Sequence, residues 1–139
     1  MSFREKSAWI SFVLILCAGS IYFAHVIGAL ITHTGYGRLV WLFIGLVVGL
    51  VLLEVALHIA IAVQAPGEAT SPKDERERPI GMKATHIAFP VLLVGALCAN
   101  LPMHFGGGRW EMSQAILLAV VVAELVRFGA QIVYYRRGA

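Results

Sequence analysis

The run LVWLFIGLVVGLVLLEVALHIAIAV, from Leu39 to Val63, carries two ionisable side chains, Glu54 and His58, and is otherwise apolar or glycine. At about 1.5 Å of rise per residue, such a run crosses the roughly 30 Å hydrocarbon layer of a bilayer as one helix. Three more runs of the same kind flank it. Ala8–Ile31 is interrupted by His25, Ala84–Phe105 contains Pro90, Asn100 and Pro102, and Met112–Tyr135 contains Glu124 and Arg127. They are too continuous for the alternating strands of a membrane barrel.

Composition agrees. The chain has 139 residues, of which 59% are hydrophobic and 14% charged, with a mean hydropathy of +0.80. Soluble domains carry about 25% charged residues, and a soluble fold of this size lacks the interior to hide so much apolar surface. The expected fold is an all-α membrane protein: one four-helix transmembrane bundle over residues 1–139. Its spans are near 8–31, 39–63, 84–105 and 112–135, with short connections and one longer loop, 64–82.

The first run resembles a signal peptide in following Arg4 and Lys6. It exceeds an h-region of about 7–15 residues and ends at Ile31-Thr32-His33-Thr34, a poor cleavage site, so it reads as a retained helix. Topology follows from the loop cations. Arg4, Lys6, Lys73, Arg76, Arg78, Lys83, Arg136 and Arg137 fall on one side, and only Arg38 and Arg109 on the other. The richer side is expected to be cytoplasmic, which puts both termini and the 64–82 loop inside. Trp9, Tyr134 and Tyr135 then lie at the inner interface, and Tyr36, Trp41 and Trp110 at the outer one, where such side chains concentrate. Cys17 and Cys98 sit within apolar runs, away from water and unsuited to a disulfide.

In lipid, helices associate through close approach of small residues and interhelical polar contacts. Candidates are Ala24/Gly28, Gly45/Gly49, Gly95/Ala99 and Ala119/Ala123. Ordinary packing within the chain is the favoured use, and a dimer seam the alternative. Pro90 removes a backbone donor and is expected to bend its helix, while Pro102 and Gly106-Gly107-Gly108 close it. The triple glycine is no phosphate loop, since no Lys-Ser/Thr follows it.

The 64–82 loop contains Lys73, Asp74, Glu75, Arg76, Glu77 and Arg78, with Ser71 or Thr70 as a potential cap. Alternating signs suit a short solvated helix with pairs at i,i+3 and i,i+4. Four acids against three bases exclude a polybasic surface for nucleic acid or anionic lipid. A solvated turn is the plainer reading, and a docking site for a cytoplasmic partner the sharper one. Together with Glu5-Lys6-x-x-Trp9, Leu57-His58-Ile59 and Tyr134-Tyr135-Arg136-Arg137-Gly138, this charged loop resembles a family of small bacterial four-helix membrane proteins of unknown function. The resemblance covers nearly the whole chain. It implies a fold and no activity. Pro79 after the charged motif departs from the family pattern and would start or break a helix there.

Charges inside a membrane are rare and costly, and they mark candidate functional sites. Glu54, His58, His86, Glu124 and Arg127 all fall in the half of the spans nearest the cytoplasm. Glu54 and Arg127 lie at matched depth, so a contact between them is expected, with Glu124 sharing the charge from one turn away. Three readings of this cluster stand open: buried pairs that fix helix register, a proton or ion path, and ligation of haem or metal. His58 and His86 match no recognised ligand spacing, and the outer Met103–His104 pair lacks the repeats of a copper site. No metal or cofactor is called for.

No nucleophile elbow, HExxH or Walker sequence is present, so no enzyme is expected. The first functional reading is a non-catalytic accessory or interaction subunit of a larger complex in the bacterial inner membrane. Its expected partners are the lipid bilayer and other membrane subunits or further copies of itself, with no nucleic acid. The second is a small oligomeric proton or cation channel or transporter using intramembrane Glu and His. The third is a haem- or quinone-binding electron-transfer subunit.

Overall fold

The structure, a computed structural model, describes residues 3–33, 35–64 and 77–137. Every element among them is helical: α1 (Phe3–Thr32), α2 (Tyr36–Gln64), α3 (Glu77–Cys98), α4 (Leu101–His104) and α5 (Arg109–Arg137). Four candidate membrane spans emerge, Arg4–Thr32, Gly37–Gln64, Pro79–His104 and Arg109–Arg137, each long and apolar enough to cross a bilayer. They coincide with the four runs. The long helices overrun the apolar segments at their ends, and Arg136 and Arg137 close α5 where cations favour the helix C-terminus.

The chain forms two compact units, Met1–Ser71 and Pro72–Ala139. In the first, α1 and α2 form an antiparallel hairpin. Glu5, Ala8, Ser11, Tyr22, Val26 and Ala29 are buried on α1, and they recur at three- and four-residue steps or multiples of them, as one helix face requires. Tyr22 meets Phe43 of α2 edge-on, with ring centroids 5.6 Å apart. The Gly45/Gly49 pair makes no close approach to α1. A methyl group added at either glycine would meet nothing within 4 Å, and both line an open groove of about 290 Å³ with Leu14 and Cys17. Ala24 and Gly28 are likewise exposed.

The second hairpin is tighter. Ile80, Ala84, Ala88 and Ala99 are buried along one stripe of the α3 segment, against Ala119, Ala123 and Ile132 of α5. A Cβ at Gly95 would stand 2.6 Å from the Cβ of Ala119, so only glycine permits this approach. Both small-residue pairs expected in this half therefore form the seam. α3 begins at Glu77 with Pro79 in its first turn, where no intrahelical donor is needed. It runs through Pro90 and stops at Cys98, earlier than the apolar run. Asn100 turns its amide back onto the carbonyls of Ala96 and Leu97, and Pro102 allows only the single turn of α4. Gly106 takes φ +84°, a left-handed conformation that favours glycine. Gly108 N–H then donates to the Glu111 carboxylate at 2.7 Å, a cap for the start of α5.

Large apolar side chains remain outside each hairpin, with Leu52 66% and Leu97 66% exposed. Water would penalise such a surface heavily, whereas hydrocarbon does not.

Candidate functional site

The polar side chains of the first hairpin meet across its seam. On α2, Glu54 and His58 are one turn apart and share a face. On α1, Ser7 and Ser11 have the same spacing. Because the helices run antiparallel, the two pairs align as rungs. Ser11 Oγ donates to Glu54 Oε1 at 2.5 Å, and Ser7 Oγ lies 2.5 Å from His58 Nε2. His58 Nδ1 lies 2.7 Å from the Glu54 carbonyl oxygen. A carbonyl can only accept, so Nδ1 carries a proton and donates to it. Ser11 is 3% exposed, so its hydroxyl is covered by protein, while Glu54 is half-buried. The serines carried no signal of their own in the sequence. Their spacing, matched to that of Glu54 and His58 at the same end of neighbouring antiparallel spans, is what could have singled them out.

A serine on a histidine invites comparison with an activated nucleophile. Here the second ring nitrogen meets a neutral carbonyl instead of a carboxylate, so the ring is oriented but gains no charge to strengthen it as a base. Both ring nitrogens are engaged, which leaves neither open to an axial haem iron in this arrangement. Beside the rungs, Glu54 and His58 also front an open groove of about 380 Å³ with Val51, Val55 and Ile59.

In the second hairpin, Arg127 directs Nε (2.9 Å) and Nη2 (2.5 Å) to Oε2 of Glu124, one turn earlier on α5. The guanidinium also lies 4.4 Å from the centroid of the Phe128 ring, a favourable cation–π distance. The Arg127 and Glu124 side chains are 35% and 39% exposed, so the pair is only partly covered by protein. Glu54 and Arg127 thus each have a partner inside their own unit: a serine hydroxyl for one and a same-helix carboxylate for the other. His86 is exposed on α3. Near it, Lys83 Nζ stands 5.8 Å over the ring of Tyr134. Of the charged loop, Lys73, Asp74, Glu75 and Arg76 lie outside the described residues, and Glu77 and Arg78 open α3. Among the described residues, no group of three or more His, Cys, Asp or Glu side chains is placed to hold a metal ion.

Four membrane-length helices joined by short connections are the common property of many membrane families, and only a whole-chain comparison separates them. Residues 4–139 match the model of a family described as "Predicted membrane protein (DUF2178)". The chain belongs to that family. No curated protein matches it, and no solved structure does. The DUF2178 assignment agrees with the four-helix resemblance of the charged loop and termini, and it indicates no catalytic family. What a DUF2178 chain can do must therefore be argued from its own polar groups.

Proposed function

We propose that this DUF2178 protein is a non-catalytic membrane subunit that acts by associating with other proteins in the bacterial inner membrane. In this reading both termini and the 64–82 loop face the cytoplasm, and Lys73–Arg78 provide the soluble docking surface. One observation carries it: Glu54, His58, Glu124 and Arg127 are all engaged by partners within their own hairpins. The bonds of Glu54 and His58 cross the seam and tie α1 to α2, while Glu124 and Arg127 neutralise one another within α5, so these groups serve the packing of the chain itself. The external faces are then free for lipid or neighbouring subunits. Mass spectrometry of a gentle detergent extract tests the proposal. A partner protein at fixed stoichiometry is the expected result, and a chain that extracts alone at every detergent strength opposes it.

The groove beside Glu54 and His58 favours a second reading, a proton path in an oligomer, since Glu and His chains serve as relays in transporters. Proton flux into liposomes that disappears in Glu54→Gln would establish it over the first.

A further inference from the structure

At the turn end of the first hairpin, α1 and α2 diverge around a cleft of about 610 Å³. Farther from the turn it is lined by Ala24, Ala29 and Leu42, apolar but for His25 beside them, while Thr32 and Arg38, nearest the turn, form its mouth. Between residues 7 and 53, Arg38 is the one formally charged side chain in the sequence. It runs against the charge bias of the chain, and it occupies the first turn of α2, where the helix dipole disfavours a cation. Helix stability therefore does not account for it. Of the other polar groups of the cleft, His25 Nδ1 bonds the Ile21 carbonyl and the Thr32 hydroxyl donates to the Gly28 carbonyl. Arg38 is the one formally charged residue among those that line the cleft.

We propose that this cleft binds an anionic phospholipid, its phosphate on Arg38 and one acyl chain along Leu42 and Ala24. The match is one of charge and shape together. A guanidinium presents paired donors that fit phosphate oxygens. The polar mouth lies at the helix ends and the apolar floor extends toward the bilayer centre, as in a lipid itself. A zwitterionic headgroup such as phosphatidylcholine offers a phosphate but adds a cation of its own, so the arginine charge stays uncompensated overall, and a free anion would leave the apolar floor empty.

The test is native mass spectrometry of delipidated full-length protein in detergent, supplied with phosphatidylglycerol or phosphatidylcholine. The wild type should retain phosphatidylglycerol about tenfold more than phosphatidylcholine. Arg38→Gln should bring the two lipids to parity, whereas Arg109→Gln, at the other cation assigned to that side, should leave the preference intact. Gly28→Leu should lower retention of both lipids, because a methyl group added at Gly28 meets nothing within 4 Å and the larger side chain fills the cleft. Equal retention of the two lipids by the wild type overturns the proposal, as does a preference that survives Arg38→Gln or retention unchanged by Gly28→Leu. Loss of the adduct to inorganic phosphate alone, or to a neutral quinone, would identify a different ligand and also overturn it. Unchanged helical circular dichroism marks each variant as folded.

Discussion

Ser11 of α1 donates its hydroxyl proton to Glu54 of α2 at 2.5 Å, within a seam that leaves Ser11 3% exposed. The carboxylate is one of the most costly groups to place in a membrane, and it meets a residue that weighs almost nothing on a hydropathy scale. Interhelical hydrogen bonds in membranes contribute about 0.6 kcal/mol on average and up to about 1.7 kcal/mol. Ser11→Ala should destabilise the hairpin within that range. In a cycle with Glu54→Leu, which removes the acceptor, the two changes should be non-additive, as expected for residues in contact. Denaturation in mixed micelles measures the coupling, and strict additivity would remove this bond from the account.

The two glycine patterns should respond in opposite ways. Gly95→Val places a branched side chain where even a Cβ stands 2.6 Å from Ala119 Cβ, so the second hairpin must open. The expected cost is about 1–3 kcal/mol, typical of overpacking. Gly45→Ala meets open space and should stay within about 0.5 kcal/mol of wild type. Reversal of that order in a thermal-shift series would show the seam to lie elsewhere.

Arg127 and Glu124 neutralise one another on a single helix. Removing one partner leaves a bare charge in the membrane, about 3 kcal/mol on insertion scales, while removing both does not. Arg127→Leu should therefore reduce folded protein more than Glu124→Leu/Arg127→Leu does. Equal losses in the two variants would mean that the pair is not formed in the bilayer.

Topology is testable by thiol labelling. Cys17 and Cys98 are free and exposed on their helices, so both are first replaced by alanine. In that background, Ser71→Cys and Ala139→Cys should both react with an impermeant reagent only when it has access to the cytoplasm. Labelling of either from the opposite side would invert the orientation argued from the loop cations.

The docking role assigned to the charged loop makes a separate demand. Glu75→Lys reverses one charge in the Lys73–Arg78 run and should leave expression unchanged, because ion pairs in water contribute little to stability. The same change should reduce recovery of a co-purifying subunit. Undiminished recovery would leave the loop as a solvated turn.

Hydropathy and helix length, read from residues such as Leu39–Val63, were sufficient to determine that this chain is an all-α membrane protein with four spans. The reason is physical: a backbone in hydrocarbon must satisfy its own hydrogen bonds, so a long apolar run has one available conformation. Glu54, His58, His86, Glu124 and Arg127 stand out as candidates within those spans, because ionisable groups contrast with apolar neighbours. Their partners do not. Ser7 and Ser11 carry no charge and interrupt no run, and only the antiparallel pairing of α1 with α2 places them opposite His58 and Glu54. The same limit separates Gly95 from Gly45. Both sit in small-xxx-small patterns, yet close approach is a property of two surfaces, and a single helix holds only one of them.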